Sequence, residues 1–374
     1  MHAPGKQNSV STPKHPASPK EYQPLTPSLI WQEIAPHTWP AAILPVLLSV
    51  ALSTLLPHQA LPGFLAPSYL NTPDNICVVP TFVLLLICIL MQSSVNVFND
   101  YFDYIKGVDT IENSSDDVTD AVLVYNNVNP KSVLALASGL LAAAFIAGMY
   151  IVAIAGWIPL AIGIIGAMIV ALYSGGKTPI SYYPIGEAVS GLVMGGLITL
   201  ACTYVLTGSL DFAVLLWSVP IMTGIGLIMM TNNTCDIEKD REAGRKTLPS
   251  LLGRETARRT YHVAIGLWLA IAAICLIAVP SIYTLVDFEL MKPSLIASGT
   301  DISVASAAAA DAAFKAATNA AAVIPFMLLV AYPQIKALWK NPLIAETRDA
   351  AMPQCLTLNI TLGLFYIAGL LLAV

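Results

Sequence analysis

Nine stretches of this chain each supply about as many consecutive apolar residues as a helix needs to cross a hydrocarbon layer roughly 30 Å thick, which takes about 20. They fall near residues 38–56, 77–101, 132–155, 157–174, 186–206, 212–233, 260–282, 320–338 and 355–374. Only 11% of the residues are charged, against about 25% in an ordinary soluble domain, and the mean hydropathy is +0.71. The expectation is an all-α, multi-pass membrane helical bundle of about nine transmembrane helices. The eighth stretch is blurred by an Ala-rich run, "VASAAAADAAFKAATNAAAV", which either extends the helix or lies along a surface. Residues 1–30 are Pro, Ser and Lys rich, without the basic start and short apolar core of a signal peptide. They are expected to form a disordered cytoplasmic tail, leaving 31–374 as the transmembrane domain.

The basic residues orient such a bundle, because Lys and Arg are retained in cytoplasmic loops. With nine spans, sixteen of the eighteen Lys and Arg residues fall on one side, and only Lys292 and Lys315 lie opposite. This places the amino terminus in the cytoplasm and the carboxyl terminus outside, in a cytoplasmic (inner) cell membrane. The net charge of −5 therefore conceals a cytoplasmic face rich in cations. No nucleic-acid partner and no obligatory protein partner is expected. The six cysteines, Cys77, Cys88, Cys202, Cys235, Cys275 and Cys355, are scattered without metal-ligand spacing and read as buried thiols.

Polar residues interrupt two of the apolar runs in a pattern. In the second, Gln92, Asn96, Asn99 and Asp103 follow helical spacing and share one face, with Asp100 beside them. Polar groups within a span face the bundle interior and mark a functional path. Asp109, a few residues further on, can equally begin a solvated loop. After the sixth run, in "MTNNTCDIEKDREAGRKTLP", Asn232, Asp236 and Asp240 again share a face. The Asn-x-x-x-Asp signature thus occurs twice, four spans apart, which suggests an internal pseudo-repeat.

Two facing carboxylate clusters suit divalent cations, since Mg2+ takes hard oxygen ligands and joins one or two carboxylates to a substrate's phosphates. Lys106, Lys177, Arg241, Arg245 and Lys246 stand near enough to clamp phosphate oxygens, although topology alone also places cations there. A substrate with a diphosphate head and a long apolar tail would fit, its tail running between helices into lipid. The small residues of "GLVMGGLITLA" and "GIGLIMM" allow close helix packing or a cleft, with packing the default.

The stretches "NDYFDYIKGVD" and "NNTCDIEKDREAGRKTLP" resemble the two aspartate-rich signatures of the UbiA superfamily of intramembrane aromatic prenyltransferases. Their endings are most similar to the MenA type, the 1,4-dihydroxy-2-naphthoate polyprenyltransferases. "PHTWPAAILPVLL", "YSGGKTPISYYPIGE" and "NPLIAETRDA" agree, so the likeness spans the chain from about residue 30. The resemblance implies a helical bundle around a central cavity. It implies that Asn99, Asp103, Asn232, Asp236 and Asp240 hold Mg2+, two ions, and diphosphate, with Asp100 and Asp109 assisting and Asn96 and the cations binding substrate. The implied reaction transfers a polyprenyl group from polyprenyl diphosphate to 1,4-dihydroxy-2-naphthoate, with loss of CO2 and diphosphate, giving demethylmenaquinone.

This chain departs from the superfamily pattern in three places. Gly107 replaces the last Asp of the first motif, Ala35 and Pro36 stand where many members have Arg-Pro, and the Ala-rich insertion near 285–320 is long. Two alternatives remain at the level of sequence: another aromatic acceptor such as 4-hydroxybenzoate or homogentisate, or a cation-coupled transporter, whose site would lie nearer midplane. A purely structural protein gives no reason for two matched stripes.

Overall fold

The computed structural model describes residues 22–63, 78–107, 122–175 and 179–374. Two of the expected site residues, Asp109 and Lys177, lie outside these segments, as does most of the amino-terminal tail. Among the described residues the ordered elements are helices. Their order is α1 (Pro27–Glu33), α2 (Pro40–Ser53), α3 (Val78–Lys106), α4 (Val122–Asn126), α5 (Pro130–Ala155) and α6 (Ile158–Ser174). There follow α7 (Gly186–Ser190), a π-helical stretch over Gly191–Leu197, α8 (Ile198–Thr207), α9 (Ala213–Trp217), α10 (Val219–Cys235), α11 (Ile237–Glu242) and α12 (Leu248–Leu252). The last four are α13 (Arg254–Ala297), α14 (Ile302–Ala321), α15 (Ile324–Lys340) and α16 (Arg348–Leu372).

Six helices among these residues are long and apolar enough to cross a membrane, or seven if the bent pair Pro27–Thr38 and Pro40–Ser53 is one span. The expected count of nine is not reached, and the reason is length. The runs at 157–174 and 212–233 form helices, but α6 and α10 are 17 residues each, about 26 Å at 1.5 Å per residue. The bend of 49° between α1 and α2 follows from Ala35, whose left-handed backbone (φ 44°) is followed by Pro36, so α1 cannot continue into α2.

The middle of the bundle is α10, packed against α13, α16, α7 and the π-helical stretch. Glycine sets that approach: a Cβ at Gly191 would stand 2.5 Å from the Met222 carbonyl oxygen, and one at Gly195 2.7 Å from the Met222 Cα. The small residues of "GLVMGGLITLA" therefore serve close packing here. Buried hydroxyls tie neighbouring helices together. Ser49 donates to the Pro45 carbonyl of its own helix, 2.8 Å, and lies 3.1 Å from the Thr199 carbonyl of α8. Large apolar side chains point outward, including Phe82, Phe145, Ile146, Ile274 and Leu329, a surface suited to lipid rather than water. The described cysteines are free and buried, as the sequence suggests.

The Ala-rich insertion is helical. Arg254 at the start of α13 contacts Glu238 and the Thr234 carbonyl, beside the second acidic cluster. Tyr283, far along α13, donates to Asp211 Oδ2 at 3.0 Å and accepts from Trp217 Nε1 at 2.9 Å. Both partners lie at the opposite end of the bundle, so residues 284–297 run on past that end, with α14 folded back along them.

Candidate active site

The two acidic clusters meet, and the residue that joins them is Arg245. Gly244, with φ +73°, reverses the chain after α11, a conformation that favours glycine, and the Arg245 N–H then bonds the Asp240 carbonyl at 2.7 Å. This returns the Arg245 side chain over the carboxylates. One terminal nitrogen lies 3.4 Å from Asp103 Oδ1 and the other 3.7 Å from Asp240 Oδ1. Its guanidinium also lies over the Tyr182 ring, 5.2 Å from the centroid, and Lys246 N–H donates to the Tyr182 carbonyl at 2.8 Å. Thus the segment "ISYYP" closes over the side of the site. Burial pulls the Arg245 guanidinium down, but Asp103 and Asp240 outweigh it and hold the group above its ordinary value.

Asp240 is the most enclosed of the acids, only 3% exposed. Burial pushes its carboxyl up to about 6, against the opposing pull of the Thr247 hydroxyl, which donates to Oδ2 at 2.8 Å, and of Arg245. Asp236 sits where α10 breaks into α11, with its Oδ2 3.6 Å from Arg348 Nε. The same Nε donates to Asn232 Oδ1 at 3.0 Å. Arg348 opens α16, so the loop "NPLIAETRDA" brings a cation to the second cluster. The Asn341 side chain, which accepts from Leu343 N–H and the Thr347 hydroxyl at 2.8 Å each, shapes that loop.

The first cluster divides along α3. Its deeper half does not reach the carboxylates: Asn96 Nδ2 donates to the Ile34 carbonyl at 3.1 Å and the Thr38 hydroxyl at 2.8 Å, and Gln92 donates to Asn96 Oδ1 and to Thr38, both at 3.2 Å. The Asn96 amide is therefore occupied by the elbow between α1 and α2, where substrate binding was expected. Asp100 Oδ2 accepts from Leu123 N–H of α4 at 3.3 Å, beside the buried Glu33. Asn99 is half-buried and Lys106 exposed at the end of α3, over the Phe102 ring. Lys246 is exposed. Arg241, expected to bind phosphate, instead gives its guanidinium to the Ser250 carbonyl at 2.8 and 3.2 Å, which fixes α12.

Among the described residues no three His, Cys, Asp or Glu side chains converge to hold a metal ion by themselves. The donor set nevertheless fits Mg2+: Asp103 and Asp240, from opposite clusters, reach one guanidinium, and this ion needs only one or two carboxylates when phosphate oxygens complete its shell. Sequence reasoning placed the acids and Arg245 but missed Arg348 and Glu187 as site neighbours. Glu187 is buried on α7, its Oε1 accepting from Asn233 Nδ2 at 2.9 Å; the signals available were the "RDA" after an Asn-Pro loop and a lone acid opening an apolar run.

With this geometry in place, comparison with known proteins is informative. The model of the UbiA prenyltransferase family matches residues 56–297, well over half of the chain, including both clusters. The chain belongs to the UbiA prenyltransferase family. Among its relatives, the 1,4-dihydroxy-2-naphthoate octaprenyltransferase of Bacillus subtilis (strain 168) is 34% identical over 229 residues, covering 61% of this chain and 67% of that protein. The protein of the same name from Haemophilus influenzae is 27% identical over 252 residues, covering 66% and 75%. A UbiA homolog from Archaeoglobus fulgidus, solved bound to DMAPP and Mg2+, superposes with a TM-score of 0.50 at 14% identity, covering 91% of this chain and 99% of that one. That likeness is one of fold.

Proposed function

We propose that this UbiA-family prenyltransferase transfers a polyprenyl group from polyprenyl diphosphate to 1,4-dihydroxy-2-naphthoate, releasing diphosphate and CO2 and giving demethylmenaquinone. The observation that carries the reading is the Arg245 bridge, which brings Asp103 and Asp240 to one point between two helix ends. The relatives bearing the naphthoate name support the acceptor, and the A. fulgidus homolog solved with DMAPP or GPP and Mg2+ supports the donor and the ion.

In this reading Asp103, Asp236 and Asp240, with Asn99 and Asn232, hold two Mg2+ ions. When bound, Mg2+ would supply positive charge against that building on a departing diphosphate. Arg245 offers donors suited to phosphate oxygens, and Arg348 keeps Asp236 and Asn232 in place. Lys106 and Lys246 stand exposed at the mouth. Tyr182 and its segment cover one side, which excludes water from an allylic cation. The site end of the bundle faces the cytoplasm, with the prenyl tail running toward lipid in a cytoplasmic membrane.

The test incubates membranes containing the chain with radiolabelled prenyl diphosphate, Mg2+ and, separately, dihydroxynaphthoate, 4-hydroxybenzoate and homogentisate. Labelled prenyl naphthoquinol, abolished by EDTA, is the expected product. Label transferred to another acid and not to dihydroxynaphthoate overturns the acceptor assignment, and undiminished transfer in EDTA overturns the metal.

A further inference from the structure

A buried carboxyl lies at the same end of the bundle as the two clusters and plays no part in holding them together. Glu187 is 8% exposed, at the site end of the span Gly186–Thr207. One oxygen, Oε1, is engaged by Asn233 of α10, whereas Oε2 is buried without a hydrogen-bond partner among the described residues. An unpaired buried acceptor costs about 1–3 kcal/mol, so Oε2 is open to a donor that a ligand brings. The backbone around it is tightly fitted. A Cβ at Gly226 of α10 would stand 3.1 Å from the Glu187 carbonyl, and one at Gly186 3.1 Å from the Tyr173 hydroxyl. The backbone at 186–187 is thus held between α10 and α6, and Asn233 of α10, the neighbour of Asn232 in the second cluster, holds the carboxyl. The Tyr173 hydroxyl, against Gly186, lies within electrostatic reach of Glu187, Arg245 and Asp240, so Glu187 shares the site end of the bundle with them.

We infer that Glu187 Oε2 is the acceptor-binding atom of the site and takes the hydrogen bond of a ring hydroxyl on the aromatic substrate. The assignment rests on the prenyltransferase reading above, in which Asp103, Asp236 and Asp240 hold the Mg2+ ions, and follows by elimination among the remaining chemical parts the site must receive. Diphosphate carries acceptors and negative charge, which a carboxylate repels. The prenyl tail carries no polar hydrogen. Only the hydroxyl of an electron-rich aromatic ring donates a hydrogen bond, and a carboxylate drawing on that hydrogen raises electron density in the ring that attacks the allylic carbon. Asn233 fixes the carboxyl plane through Oε1, so the direction of Oε2 sets the ring's orientation.

The decisive variant is Glu187→Gln in the full-length protein, with Glu187→Ala beside it. Glutamine can keep its Oε1 on Asn233 and then presents an NH2 donor where Oε2 accepted. The expected result for Glu187→Gln is a loss of about ten- to a hundredfold in kcat/KM for the aromatic acid, the size of one hydrogen bond to a charged group. The KM for prenyl diphosphate and the thermal midpoint in detergent should stay close to wild type. Unchanged kcat/KM for the acid in Glu187→Gln overturns the inference, and so does a loss shared equally by both substrates with a lowered midpoint in both variants, which marks a structural role. Wild-type protein that prenylates none of the aromatic acids breaks the underlying reading instead; where the acid prenylated is 4-hydroxybenzoate or homogentisate, the same loss for that acid in Glu187→Gln supports the inference and an unchanged kcat/KM overturns it.

Discussion

The two aspartate motifs carry the same signature and do different work. The first lies on α3, an unbroken helix of 29 residues, and Asp103, toward its end, reaches Arg245 of the other cluster. Its earlier polar residues tether the α1–α2 elbow through Thr38 and Ile34. The second lies where a helix breaks at Asp236, and each of its members has a fixed partner: Arg348 for Asn232 and Asp236, Thr247 and Arg245 for Asp240. A repeat in sequence is therefore not a symmetric site. One half presents its carboxylate on a rigid rod, and the other is preorganised by its own loop and by a cation from α16, which is how an enzyme avoids reorganising dipoles during reaction.

The sharpest break of this comparison removes the carboxylate that the first half sends to Arg245. Asp103→Ala should lower turnover by about three orders of magnitude or more, the scale of losing a group that stabilises developing charge. Asp236→Ala should do the same while the protein still purifies as a folded species; retained activity in both removes the metal assignment. Next in size is Arg245→Ala, which separates the halves. The expected loss is about a hundredfold in kcat/KM for prenyl diphosphate, with Lys recovering little because it lacks the planar fork, measured by steady-state kinetics in proteoliposomes.

The preorganised half also carries a pH signature of its own. Burial raises Asp240 to about 6, so at low Mg2+ activity should fall as pH drops through about 6 and this carboxyl takes up a proton. Stability moves the other way. The folded chain binds that proton more readily than the unfolded chain, whose aspartate titrates near 3.9, so metal-free protein gains stability as pH falls from about 6 toward 4. Thr247→Val removes the hydrogen bond that lowers Asp240 and should shift the activity inflection upward, by up to about one pH unit. An unshifted inflection assigns the titration elsewhere. The smallest effect concerns the tether: Asn96→Ala should cost about 1–3 kcal/mol of stability through unpaired buried groups, read as a lower thermal midpoint, with activity at low temperature reduced less than tenfold.

Much of this was legible in the sequence, in a physically understandable way. Helical spacing shows which residues share a face, so Asn99, Asp103, Asn232, Asp236 and Asp240 fall into two groups on spacing alone. Spacing says nothing of what stands opposite a face, so the Asn96 amide looked like a ligand although it holds Thr38. Arg241 and Arg245 are four residues apart in one basic loop, and only the reversal at Gly244 sends one to the carboxylates and the other to Ser250. Arg348 was hidden by its distance along the chain from Asn232, and Glu187 by its place at the rim of an apolar run. The count of nine spans is not confirmed among the described residues, because hydropathy measures apolar length along the chain, whereas α6 and α10 are 17 residues each, at the short end of what crosses a bilayer.

The length of α13 carries one further consequence. At 44 residues it measures about 66 Å, roughly twice the thickness of a hydrocarbon core. Rooted beside the second acidic cluster through Arg254, it joins the proposed site mechanically to a point past the opposite end of the bundle. A fluorophore or spin label at Ser298 would therefore serve as a remote gauge of the bundle's tilt and immersion depth while substrate binds, read without touching any residue of the site.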